Sequence, residues 1–166
     1  LLRELPVFIS TIPTDIWKKW APIILAYPTP SGGGDEEIHH SLVKLSYQYA
    51  PDEIIQTLMV MIDKENKDHD RVYITRKVEG CWDNRLANAL LVKVKDENLK
   101  PESMGCLLDD LLSHGVDEAW IFAGSLISLP PSTNETERTK VIVAARELMT
   151  HAEDAGWSVV WPAIQK

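Results

Sequence analysis

Cysteine is scarce in this chain: there are two in 166 residues, Cys81 and Cys106, 25 residues apart. That spacing fits no metal or redox motif, and the pair reads as reduced thiols in a cytosolic compartment rather than as a disulfide. Basic charge is also in short supply. With 17 Lys and Arg against 25 Asp and Glu, the formal charge is −8, which argues against a nucleic-acid or anionic-membrane surface while leaving room for a local basic patch. Long apolar runs are missing as well. A spanning helix needs about 18 uninterrupted apolar residues, whereas the longest candidate, Ala21–Tyr27, contains Pro22 and stops at Pro28. No secretory signal is visible in the sequence, where Leu1 and Leu2 are followed at once by Arg3 and Glu4. Gly32-Gly33-Gly34 has no Lys-Ser/Thr after it and is a turn, not a phosphate loop.

What is present is ordinary globular material, 45% hydrophobic and 25% charged. At this length one core can bury roughly 70% of the unfolded surface. The periodicity is that of helices. It is clearest from Pro101 to Ser128, where Met104, Leu107, Leu108, Leu111 and Leu112 mark one helix face and Gly115 supplies the stop. Val116, Ala119, Trp120, Ala123, Leu126 and Ile127 repeat the spacing until Pro130-Pro131. Two helices joined so tightly are expected to fold back antiparallel, each burying the other's face.

The rest of the chain reads as more of the same. Leu1–Ile12 suggests a short helix, and Thr14 an N-cap for a helix with Trp17, Trp20, Ala21, Ile24 and Leu25 inward and a kink or break at Pro22. Residues 28–34 form a flexible Pro/Gly-rich loop. Asp35-Glu36-Glu37 opens a helix facing inward through Ile38, Leu42, Leu45 and Tyr49. Pro51 opens another with Ile54, Ile55, Leu58, Met61 and Ile62 inward, leaving through the solvated charge run Asp63–Asp70. Arg71–Gly80 could suit a strand, but no second strand exists to pair with it, so helix is expected. Trp82, Leu86, Ala89, Leu90 and Val94 mark the next helix. Asn134 and its neighbours cap a long one, with Val141, Ala144, Ala145, Leu148, Met149 and Ala152 inward, ended by Gly156 before a short terminal helix from Trp157 through Pro162.

The expected fold is therefore all-α, a single domain over 1–166 of stacked antiparallel helical hairpins, either a HEAT-like or irregular α-superhelix or a compact irregular bundle. Helix starts near 101 and 134, and near 14 and 51, have the spacing of helical-hairpin repeats. Apolar character at both ends suggests a piece of a longer protein, because repeat arrays finish in polar caps.

No catalytic, cofactor or metal site emerges. His39 and His40 are neighbours on a helix, pointing about 100° apart, and cannot grip one ion together. Asn66–Asp70 alternates oxygen donors like a calcium loop but has Arg71 where the glycine belongs and Lys77 where the bidentate glutamate belongs. Asp109 and Asp110 lie on a solvent face. Asn134-Glu135-Thr136 has the form of a glycosylation sequon, without meaning in a cytosolic protein. Cys81 or Cys106 would need a histidine base to act as nucleophile. Trp17, Trp20, Trp82 and Trp120 fit core positions, while Trp157 and Trp161 would pack on a further repeat or a partner.

Cys81-Trp82-Asp83 with Arg85-Leu86-Ala87, Leu99–Ser103, Leu107–Leu112, Val116–Ala119 and Ala144–Trp157 with Val160-Trp161-Pro162 together resemble the C-terminal helical region of large bacterial NACHT-type (STAND) signal-transduction NTPases. The resemblance covers roughly the second half of the chain and rests on packing motifs. It implies a cytoplasmic, non-catalytic sensor or scaffold segment, with the nucleotide handled upstream. Its partner would be another protein or other parts of the parent chain, with no membrane, no small-molecule substrate and no cofactor. Two readings from other classes stand beside it. One is a small cysteine-dependent enzyme; the other is a nucleic-acid-binding helical domain using Arg71, Arg76, Lys77, Arg85, Lys93 and Lys95.

Overall fold

The computed structural model describes residues 11–28, 34–128 and 133–164, with 152–159 and 162–164 as backbone only. Among the described residues every regular element is helical and there is no strand, as the periodicity requires. The elements are α1 (Thr14–Ala26), α2 (Gly34–Tyr49), α3 (Pro51–His69), a 3-10 helix (Ile74–Cys81), α4 (Asn84–Val94), α5 (Pro101–Ser113), α6 (Asp117–Ser128) and α7 (Glu135–Ile164). The expected helix before Ile12 and most of the 28–34 loop lie outside the described residues. No helix among them is long and apolar enough to cross a membrane. Two compact units can be distinguished: residues up to Met61 with Arg76–Trp82, and Ile62–Thr75 with Asp83 onward.

In the first unit, Pro13 and not Thr14 stands at the N-cap of α1. No side chain caps this end; the Ile16 and Trp17 amides reach the Pro13 carbonyl at 3.0 and 3.3 Å. The helix passes through Pro22 without a break. A proline there removes one ladder donor, a loss that the flanking turns can carry when the helix is packed. Trp17, Ala21 and Leu25 are buried, and Trp17 stacks on Tyr49 of α2 with ring centroids 5.2 Å apart. The inward face of α2 is not the one that its aliphatic residues suggest. His39, Val43, Ser46 and Tyr47 are buried, whereas Ile38 and Leu42 are exposed. Ile54 and Leu58 of α3 complete this core with Val78 and Cys81.

In the second unit, the charge run Asp63–His69 is the last part of α3, closed by Asp70 in the left-handed conformation at φ 59°. Glu65 reaches forward from it, its Oε2 accepting from the Tyr73 and Ile74 amides at 2.6 and 2.9 Å. That carboxylate meets backbone donors at the start of the 3-10 helix; Ile74–Cys81 is helical as expected, whereas Arg71–Tyr73 before it is not. Asn66 is buried in the same run; its amide donates to the Asn98 carbonyl at 3.1 Å and its oxygen accepts from the Lys100 amide at 2.9 Å.

The turn at Gly115, φ +70°, is a Schellman close: Gly115 donates to the Leu112 carbonyl at 3.0 Å and Val116 to that of Leu111 at 3.1 Å. All five of the predicted α5 core residues are buried. The hairpin does not bury its own faces, however. Both α5 and α6 pack far more extensively on α7 than on each other. Gly105 permits the close approach, since a Cβ there would stand 2.6 Å from Val143 Cγ1. α7 itself begins as expected, the Asn134 side chain accepting from the Thr136 amide at 2.8 Å and the Glu137 amide at 3.4 Å. It then runs for 30 residues through Gly156 and Pro162, where an end was expected. One helix about 45 Å long replaces the predicted pair.

A candidate recognition groove

α1 carries two apolar rows where a half-buried helix needs one. The row Trp17, Ala21, Leu25 faces the core of its unit, and the row Ile16, Trp20, Ile23, Tyr27 faces outward. Trp20 is 54% exposed and Ile23 56%, so the expectation of Trp20 as core is corrected. Ile38 and Leu42 on α2 continue the outward surface. Together with Ile12 they line an open groove of about 880 Å³ whose polar members are Asp35 and His39.

His39 fixes one wall. Its Nε2 lies 2.8 Å from the Ile24 carbonyl and must donate, because a carbonyl only accepts. Lys77 Nζ donates to the Leu25 and Tyr27 carbonyls at 3.1 and 2.6 Å. A cation and an imidazole thus close the carbonyl end of α1, where the helix dipole is negative. Two polar atoms on groove-lining residues, Trp17 Nε1 and His39 Nδ1, are buried without a hydrogen-bond partner. Each such orphan costs about 1–3 kcal/mol.

The residues singled out in the sequence are placed as follows. His39 is at a helix contact and His40 half-buried, so the adjacent histidines do not form a ligand pair. Cys81 is buried and Cys106 half-buried, and neither is in a disulfide. Hydrogen bonds of the His39, His114 and His151 rings reach Ile24 O, Asp110 O with Ser113 Oγ, and Asp109 Oδ1, in that order. Of the basic set, Lys77 is spent on carbonyls, Lys93 on Asp63 and Asp96 at 2.5 and 2.7 Å, and Arg71 lies 3.7 Å from Glu102. Burial alone would lower the Lys93 pKa, but the bonds to Asp63 and Asp96 outweigh it and raise it. Asp96 is correspondingly lowered, by the Lys93 hydrogen bond first and then the Asn98 amide. Trp82 and Trp120 are half-buried and Trp161 is exposed. The Trp157 side chain lies outside the described residues.

Two features escaped the sequence reading. The groove was missed because an outward apolar row looks the same as an inward one. The second is a cluster on the other unit, Asp109 with Glu147 and His151, whose ligand atoms all lie within 4.8 Å of one another. A Glu-x-x-x-His spacing on one helix was the available signal for it. The chain matches no family model, no curated protein and no solved structure.

Proposed function

We propose that this chain is a non-catalytic helical recognition segment, acting in a cytoplasmic signalling NTPase of the NACHT (STAND) type, and that the α1–α2 groove is where it meets its partner. The observation that carries the reading is the outward row of α1 continued by Ile38 and Leu42. A contiguous apolar surface of this kind marks an interaction site. The partner that suits it is an amphipathic helix, from another protein or from the parent chain. The outward row from Ile16 to Tyr27 spans about 16 Å, or about three helical turns, enough for anchors at i, i+3, i+4 and i+7.

The test is the paired substitution Trp20→Ala with Ile23→Glu in the full-length parent protein. Both sites are exposed, so the fold should keep its stability within about 0.5 kcal/mol. Association with the partner or self-association, read by analytical ultracentrifugation, should weaken about tenfold or more, since an aromatic anchor is worth 1.4 kcal/mol or above in such interfaces. Unchanged association would sink the proposal.

A further inference from the structure

Asp109, Glu147 and His151 converge from two helices of the second unit. Glu147 and His151 are one turn apart on α7 and share a face. Asp109 is on α5, one turn beyond Gly105, the residue that brings the α5 backbone up against α7. His151 Nε2 and Asp109 Oδ1 are 2.6 Å apart, and the three donor atoms fall within 4.8 Å. Ligands at about 2.0–2.2 Å from a tetrahedral ion stand roughly 3.3–3.5 Å from one another. One donor pair is closer than that and no pair is wider than 4.8 Å, so side-chain adjustment alone would bring the donors to it.

Glu147 is the less ordinary member. It is 7% exposed, a carboxylate set into the α5–α7 contact. Its Oε1 accepts from Arg146 Nε at 2.8 Å, while Oε2 has no hydrogen bond among the described residues. That oxygen is left available as a ligand atom. Arg146 pairs with Glu147 and its Nη2 also lies 3.4 Å from Glu102, which pairs with Arg71 as well. Three carboxylates thus face two guanidiniums, leaving a negative balance next to an imidazole.

We infer that Asp109, Glu147 and His151 form a binding site for a divalent first-row transition metal of the zinc class, joining α5 to α7. One imidazole nitrogen with two carboxylate oxygens is a borderline donor set. It favours zinc over magnesium or calcium, which want oxygen alone. Three protein donors would leave the fourth position open to water or a ligand. Nothing in this site depends on the recognition groove.

Zinc alone, titrated calorimetrically into the chelator-treated 166-residue chain, tests the site. The expected result is one zinc per chain, with affinity reduced about tenfold or more by Asp109→Asn and by His151→Ala and unchanged by His114→Ala. Asp109 is exposed, so its amide variant should keep the wild-type circular dichroism and carries the test if His151→Ala misfolds. Absence of one-to-one binding, binding indifferent to Asp109→Asn, or equal displacement of zinc by calcium would each overturn the inference.

Discussion

Gly105 is the position where one methyl group would act against the whole α5–α7 packing. An alanine in a helix gains about 1 kcal/mol over glycine from propensity. Here the new Cβ would sit 2.6 Å from Val143 Cγ1, and Arg146 Nη2 is also close at 3.1 Å. The arginine tip can swing away; the valine cannot, because β-branched side chains in helices hold one rotamer. Overpacking of this kind costs typically about 1–3 kcal/mol, so Gly105→Ala should be destabilising on balance, by about 1 kcal/mol, in urea unfolding. A stabilised variant would show that the two helices can move apart freely. Asp83 is the complementary case, where loss of a side chain does the damage. It caps α4 by accepting from the Arg85 and Leu86 amides, both at 2.9 Å, and Asp83→Ala should cost about 1 kcal/mol with Asp83→Asn far less affected. Equal losses for the two would point to charge rather than capping.

At the scale of the element, the end of α4 is held by charge and should report pH. Lys93 binds Asp63 and Asp96 with its side chain 11% exposed. The Asp96 pKa is lowered from its ordinary 3.8, so its contribution is present above that value and is lost as pH falls through the lower folded value. Lys93, raised from 10.5, contributes below that value and loses its share as pH rises through the higher folded one. Stability should therefore be flat between these limits as far as this pair is concerned. The acid limb below about pH 4 should become shallower in Asp96→Asn, as followed by denaturant midpoints across pH. An unaltered acid limb would mean that other carboxylates set it. The elements also show what a sequence can convey. In α5 the apolar residues fall on one broad face and all five predicted ones are buried, because nothing else competed for that side. In α2 the aliphatic Ile38 and Leu42 pointed to the wrong face, since His39 and Ser46 take the core side and the aliphatics line the groove. Periodicity specifies a helix; it does not say which of two apolar rows meets the core. Gly156 and Pro162 misled for a different reason, because a local breaker costs a few kcal/mol at most and a long packed helix can absorb it.

At the scale of the molecule, the legible part was the class: helices throughout, no strand and no spanning segment among the described residues. Division into two units was not legible, because α3 and the 3-10 helix are each continuous in sequence across the boundary and no linker composition marks it. Nor was the clustering of Asp109 with Glu147 and His151, which depends on α5 choosing α7 over its own hairpin mate. The net charge of −8 bears on the partner as well. A helix docking on the groove beside Asp35 would gain from basic residues on its flanks, and that association should weaken as salt rises.

Asn66 has one more implication, which concerns the age of a sample. Its side chain works as a detached peptide group, donating to the start of the Asn98–Lys100 segment and accepting from its end. Spontaneous hydrolysis of that amide would replace the donor nitrogen with oxygen. Two acceptors would then face each other where Nδ2 now meets the Asn98 carbonyl at 3.1 Å. Chemical ageing at a single side-chain nitrogen of α3 would thus unfasten the approach to α5.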